Sequence, residues 1–491
     1  MKAYSADGRV RCPWHGACFN TKTGDIEDFP GMDSLPVFEV RVAGDDVYVK
    51  GNLEEVRTSK RVGYMCPGRE DGRLFVIVGG GASGAACAQQ LRKSGFSGRI
   101  LVLSKESVLP YDRPKLSKAM TVTLSAILLR DAAFWEKHGV EFKFGTVVTE
   151  LDAKTKTITT EAGERIVYDA CLVATGGTPR GLPVAAPASA GPKGFSNVFL
   201  LRDFEQAGII DAEAAGKKVL IVGSSFIGME IAAAISAKAS SILVIGMEKV
   251  PFERVLGVEI GAAMQALHES KGVKFQMQAT LKDVKHDGQR VTSVILNSGQ
   301  EIECDMICVG AGVVPTTSFI KGVELAKPDN SVLCDANMKV QGADALFAAG
   351  DLARFPLKML NNRLARIEHW GMAQKQGQVA ALNMLGKDSP LDSIPYFWTG
   401  MYGKTVRYCG HGLDVDEVIM DGASLDPASL KFLAFYASKG HIVATASIAR
   451  DPLVSICAEL MHHNTMPSAN DIKDAIAADG SAEKLLRSLL Q

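Results

Sequence analysis

The sequence predicts an α/β chain of several domains, and two stretches carry that prediction. Phe75–Gly84, FVIVGGGASG, and Val219–Gly228, VLIVGSSFIG, each run a short apolar strand through a glycine turn into Ala-rich helical sequence. Uninterrupted apolar strands are the mark of parallel sheets covered on both faces. Each stretch therefore reads as the strand–turn–helix of a doubly wound unit. A length of 491 residues leaves room for about three domains.

The glycines justify the two turns. A pyrophosphate at such a turn needs one glycine for the bend, one for close backbone approach and one for tight helix packing. The helix N-terminus adds unpaired N–H groups and a favourable dipole. Gly79, Gly81 and Gly84 fill the three positions in the first copy. In the second, Gly223 and Gly228 are present, but Ser225 stands in the middle, where its Cβ is expected to crowd the phosphates. The acid that holds a ribose hydroxyl, expected about 20 residues on, is displaced in both: Glu106 and Glu248 are the nearest. They read either as ribose ligands or as solvated loop acids. A carboxylate there favours NADH over NADPH, while Lys249 beside it keeps NADPH open.

Bulk composition excludes other classes. Lys+Arg 54 against Asp+Glu 55 gives a net charge of −1, which does not suit a nucleic-acid surface. Ten scattered cysteines indicate reduced intracellular thiols rather than a disulfide framework. The compartment reads as cytoplasmic or mitochondrial. No secretory signal is visible in the first twenty residues. Val219–Ala237 is apolar enough to suggest a membrane span, but Glu230 in its middle and the glycine turn make it a buried strand and helix.

Further along, VATGGTPR (Val173–Arg180) and VGAGVVPT (Val309–Thr316, with Gly310 and Gly312) end strands in glycine turns and read as crossings between domains. ALFAAGDLARFP places Asp351 at the carboxyl end of a buried strand, the edge at which parallel sheets bind ligands. A disulfide reductase would need a cysteine pair soon after the first turn, yet the next cysteine after Cys87 is Cys171.

In order, GGGASG, LPYDRPKLSK (Leu109–Lys118), VATGGTPR, GSSFIGME, VGAGVVP, AAGD and IEHWGMAQKQG (Ile367–Gly377) resemble the two-dinucleotide flavoproteins that include ferredoxin reductases, monodehydroascorbate reductases and apoptosis-inducing factors. RVRCPWHGACFN, with Cys12 and His15, and the LPVFEVRVAGDDVYVKG that follows resemble the second half of a Rieske domain. With both features the chain resembles the Rieske-bearing, third type of apoptosis-inducing factor. A Rieske [2Fe–2S] cluster needs two Cys and two His. Cys12 and His15 supply half, the eleven residues before Cys12 hold neither type, and the expectation is an insufficient site.

The resemblance implies two Rossmann-like domains for FAD and NAD, a C-terminal α+β domain and a partial all-β Rieske-like segment in front. The implied boundaries are 1–52 for that segment, 53–72 for a polar linker, 73–203 and 333–390 for the FAD domain, 204–332 for the NAD(P)H domain and 391–491 for the C-terminal domain, which also implies a homodimer interface. It further implies FAD at Gly79, Gly81 and Gly84, with Arg113 near its phosphate, Lys118 near the flavin and Asp351 at the ribityl chain or pyrophosphate. Glu368, His369, Trp370 and Trp398 would flank the ring, and Glu230 would face the nicotinamide, making Lys118, Glu230 and His369 the implied catalytic set. Plainer readings are a core aromatic for Trp398 and a hydrogen-bonded structural role for His369. The implied activity is transfer of electrons from NAD(P)H through flavin to a one-electron acceptor. The alternative is a signalling or binding protein in which FAD and NADH act as conformational ligands.

Overall fold

The computed structural model describes residues 4–6, 8–57, 61–66, 71–188 and 194–490. Four short strands, β1 (Tyr4–Ala6), β2 (Arg9–Arg11), β3 (Cys18–Asn20) and β4 (Ile26–Asp28), form one antiparallel sheet, followed by the hairpin β5 (Glu39–Ala43) and β6 (Asp46–Lys50). The stretch expected as a polar linker is partly strapped down. Arg61 donates to Leu35 O at 2.7 Å and Thr23 O at 2.6 Å, and pairs with Asp25 at 2.7 Å, while Met65 is buried.

The first glycine turn follows β7 (Leu74–Val78). β7 lies in a parallel five-stranded sheet with β8 (Arg99–Leu103), β9 (Val140–Lys143), β10 (Ala170–Val173) and the late strand Leu346–Ala348, in the order Leu346–Ala348, β10, β7, β8, β9. Its central residues are buried on both faces, as the uninterrupted apolar runs require. Helix α1 (Ala82–Lys93) leaves the turn. The second unit repeats the plan: β11 (Val198–Leu200), β12 (Lys218–Val222), β13 (Ser241–Gly246), β14 (Val273–Met277) and β15 (Met306–Val309) run parallel in the order β11, β15, β12, β13, β14, and α2 (Phe226–Ile235) leaves the second turn. Between the two units the expected crossings lie side by side, Gly177–Pro179 pairing antiparallel with Val313–Pro315. The fold is thus two Rossmann-like α/β domains, and the apolar run over Val219–Ala237 is strand and helix. No helix among the described residues is long and apolar enough to cross a membrane.

Helix α3 (Trp370–Met384) lies against α1 so closely that a Cβ on Gly377 would fall 2.1 Å from Ser83 O. The C-terminal α+β domain is an antiparallel sheet of β16 (Tyr396–Met401), β17 (Lys404–Gly410), β18 (Glu417–Ser424), β19 (Lys431–Ser438) and β20 (His441–Ile448), ordered β16, β17, β20, β19, β18. Both faces are covered. Phe432, Ala434 and Tyr436 join the core of the second Rossmann unit, while Leu433, Phe435 and Ala437 alternate to the side of helix α4 (Leu453–His462).

Candidate functional site

The two glycine turns have the same backbone construction. Gly79 has φ +114° and a Cβ there would meet Ala174 O at 2.3 Å; Gly223 has φ +110° and would meet Gly310 O at 2.3 Å. Gly84 and Gly228 each leave 2.1 Å between an added Cβ and the carbonyl of the first glycine, so both helices seat directly on their turns. Gly310 is similarly tight, an added Cβ falling 2.9 Å from Gly228 N, whereas a Cβ on Gly312, at φ +85°, would meet open space.

The middle positions face outward. No heavy atom lies within 4 Å of a Cβ built on Gly81, and the N-terminus of α1 that Gly81 caps has no side-chain cap. This is an open cradle with free N–H donors, the feature a diphosphate requires. Ser225 caps α2 at φ −89°, a conformation open to any residue, and its hydroxyl lies 3.4 Å from Gly310 O. Its backbone is unstrained, and its side chain is exposed.

Both displaced acids are engaged. Glu106 accepts from Tyr111 Oη at 2.7 Å and pairs with Arg113 at 2.6 Å; Arg113 also donates to Tyr111 Oη at 2.8 Å and to Arg202 O. Glu248 accepts from Ser224 Oγ at 3.4 Å and pairs with the exposed Arg254 at 2.7 Å. Asp351 follows Gly350, which has φ +89° and whose N–H donates to Gln376 Oε1 at 2.7 Å; Arg202 Nη1 approaches the Asp351 carboxylate at 3.9 Å.

Lys118, Glu230 and Thr399 come together from three parts of the chain. Lys118, after the short helical turn Arg113–Lys115, pairs through Nζ with Glu230 Oε1 at 2.8 Å. Glu230 lies in α2, just past the second glycine turn, and is 5% exposed. Thr399 of β16 donates to Glu230 Oε1 at 2.5 Å, and Ser117 donates to Oε2. The first unit, the second unit and the C-terminal sheet therefore share one carboxylate.

At the start of α3, Glu368 pairs with Arg366 at 2.7 Å; burial raises its pKa, against the opposing pull of Arg366. His369 caps α3, lies 4.7 Å from the Phe397 ring and carries a buried Nδ1 without a partner among the described residues. Burial pushes it down to about 3, with His411 adding to the effect. Trp370 opens the helix, and the buried Gln374 amide has no partner at either end among the described residues. Trp398 tilts against His15, with ring centroids 4.5 Å apart.

The open Gly81 cradle and the orphaned buried polar atoms of His369 and Gln374 fit an extended polar cofactor passing from the first turn to the start of α3. Cys12 and His15 are both half-buried on one loop, and the described residues contain no group of three or more His, Cys, Asp or Glu able to hold a metal. Cys87 lies in α1 with its Sγ 3.8 Å from Met384 Sδ, and burial pushes its thiol far above the range of a reactive thiolate.

Residues 74–377 match the model of the pyridine nucleotide-disulphide oxidoreductases, residues 396–478 that of the reductase C-terminal domain and residues 2–39 that of the Rieske [2Fe-2S] domain. The chain belongs to the pyridine nucleotide-disulphide oxidoreductase family. Apoptosis-inducing factor 3 of Homo sapiens is 38% identical over 467 residues, covering 94% of this chain and 76% of that protein. The 5,5'-dehydrodivanillate O-demethylase ferredoxin reductase subunit of a Sphingobium species is 31% identical over 381 residues, 76% of this chain and 90% of its own length. Among solved structures, the covalent putidaredoxin reductase–putidaredoxin complex matches with a TM-score of 0.74 and 26% identity, over 83% of this chain and 99% of its own. FAD and NAD(P)H are the cofactors of this fold. Ser117, Thr399, Arg202 and Tyr111, which complete the ion-pair networks, were not singled out by sequence; Tyr111 and Ser117 stand inside the LPYDRPKLSK run, which is the signal that could have drawn attention to them.

Proposed function

We propose that this chain is an oxidoreductase that takes electrons from NADH at the second glycine turn and delivers them, through FAD at the first, to a one-electron carrier protein. The observation that carries the reading is the Lys118–Glu230–Thr399 junction, which ties the two nucleotide-binding units and the C-terminal sheet at one point. FAD bound at the first turn supplies what side chains lack, a hydride acceptor that hands electrons on singly.

The chain's own residues then bind and orient. Gly79, Gly81 and Gly84 open the first cradle; Gly223, Ser225 and Gly228 form the second, with Gly310 and Gly312 as its far wall. Asp351 is offered to the ribityl side, with Arg202 steadying it, and Arg113 is held by Glu106 near the phosphates. Glu230 fixes the Lys118 ammonium, which would favour the reduced form of a flavin bound beside it. His369, neutral at physiological pH, contributes a ring and an unfilled Nδ1 rather than a charge. Glu248 presents its carboxylate toward the adenosine ribose and repels a 2′-phosphate. The relatives named as ferredoxin reductase and as a reductase–putidaredoxin complex support a protein acceptor.

The test is steady-state reduction of ferricyanide by FAD-loaded protein with NADH and with NADPH. The reading predicts turnover with a clear preference for NADH. Glu248→Ala should erode that preference by raising kcat/KM for NADPH, since Lys249 and Arg254 are then free to meet the phosphate. No turnover with either nucleotide would overturn it.

A further inference from the structure

Two turns of the C-terminal sheet place both of their residues in the left-handed backbone region. Lys439–Gly440, between β19 and β20, has φ +50° and +79°, and the lysine is exposed. Tyr402–Gly403, between β16 and β17, has φ +51° and +74°. Met401 pairs with Lys404 across it, which makes it the tight hairpin turn that favours Asn-Gly or Asp-Gly. A bulky residue is strained in that conformation, and such strain directs attention to what the side chain does.

The Tyr402 ring packs edge-on against His268, with centroids 4.9 Å apart at 77°, and its hydroxyl lies 3.2 Å from His268 Nδ1. His268 belongs to the helix Glu253–Glu269, is fully buried, and has no partner for Nε2 among the described residues. Burial raises the pKa of the Tyr402 hydroxyl, and a hydrogen bond with Ser236 opposes the rise. Ser236 caps the C-terminal end of α2. One side chain at the hairpin tip is thus seated on two helices of the second Rossmann unit. Three residues earlier on the same hairpin stands Thr399, which donates to Glu230 Oε1 at 2.5 Å. Glu230 is also on α2, and the same oxygen holds Lys118 Nζ at 2.8 Å. Met401, between Thr399 and Tyr402, is buried in the core that Met229 and Ala232 of α2 share. The hairpin therefore meets α2 at Glu230 and again at its capping serine, and two such points fix a strand that one would let pivot.

We propose that Tyr402 is a positioning residue for flavin reduction: by anchoring the hairpin tip to His268 and Ser236 it sets Thr399 on Glu230 and, through Glu230, the place of Lys118. The proposal rests on the oxidoreductase reading above, in which Lys118 lies beside the flavin. It gives the strained turn a task, because an asparagine would relax the backbone there but could not reach both helices.

The experiment compares the full, FAD-loaded parent with Tyr402→Asn, Thr399→Val, the double variant and Lys439→Asn. Stopped-flow reduction of the flavin by NADH should slow about tenfold in Tyr402→Asn. The flavin midpoint potential, read by dithionite titration, should fall with it, as in Thr399→Val, because a displaced Lys118 favours the reduced form less. In the Thr399→Val background the same substitution should add less than about twofold, since residues acting through one contact are not additive. Lys439→Asn, the same change at the exposed turn, should match the parent in rate and potential. Tyr402→Phe keeps the ring against His268 and loses only the hydroxyl; it should slow reduction about threefold, and it decides the matter if Tyr402→Asn does not fold. A parent-like rate and potential in the Tyr402 variants would overturn the proposal, and so would losses that multiply in full in the double variant. The oxidoreductase reading fails separately, as a parent flavin that NADH leaves oxidised while dithionite still reduces it, and the potentials alone then decide on Tyr402.

Discussion

Glu230 is a buried carboxylate with a lysine at 2.8 Å and two hydroxyl donors, and its removal tests the site most locally. Glu230→Gln keeps the shape and loses the charge that fixes Lys118. A charge-assisted contact of about 1.5–3 kcal/mol corresponds to roughly 10- to 100-fold in rate, and stopped-flow reduction of the bound flavin by NADH should slow by that order. A second residue-scale prediction concerns His268, fully buried beside Tyr402 Oη at 3.2 Å and pushed by burial down to about 3. Its folded pKa lies below its ordinary 6.5, so the unfolded chain binds the extra proton between those values. The neutral ring therefore favours the fold fully above about pH 6.5, and that advantage falls as pH drops toward 3, by about 1.4 kcal/mol per unit. His268→Gln should flatten the pH dependence of the denaturation midpoint in that window relative to the parent. Sequence marked Glu230, because a carboxylate stood inside an apolar run, but its partners Ser117 and Thr399 were illegible: they lie in other domains, and only the folded chain brings three segments to one oxygen pair.

At the scale of elements, the two glycine turns separate packing from binding. Gly84→Ala drives a Cβ to 2.1 Å from a backbone carbonyl, so α1 must lift from its turn. An overpacking cost of about 1–3 kcal/mol or more should lower the melting temperature even without FAD. Gly81→Ala has an ordinary φ of −84° and open space; the apo melting temperature should hold while FAD retention on gel filtration falls. These turns were readable because strand, bend and helix are consecutive and only glycine satisfies their backbone. Ser225 was readable in place, and its φ of −89° shows that the turn forms without glycine there; its exposed side chain stands on the open side of the turn.

Across the whole molecule, the N-terminal segment is integral to the reductase. Arg11 joins Asp28 to Glu459 of α4, and Lys375 adds α3. Burial alone would raise Asp28, yet Lys375 and Arg11 hold its carboxyl well below the usual range. Arg11→Met leaves two buried carboxylates short of a partner, at a cost of about 3–5 kcal/mol, and limited proteolysis should release the segment from the variant before the parent. Sequence showed this segment only as half a Rieske motif, because the contacts that anchor it span most of the chain, Arg11 to Glu459 being 448 residues apart. The overall plan of two parallel sheets and a C-terminal α+β domain was readable from apolar runs and motif order; the joining of all these parts around one carboxylate was not.

The proposed path runs from NADH at the second turn to FAD at the first, and it is tested by anaerobic titration of the FAD-loaded chain with NADH, followed by flavin absorbance. Bleaching that reaches completion near one NADH per flavin, and that slows in Glu230→Gln, is the predicted result. A flavin spectrum unmoved by excess NADH would rule this path out.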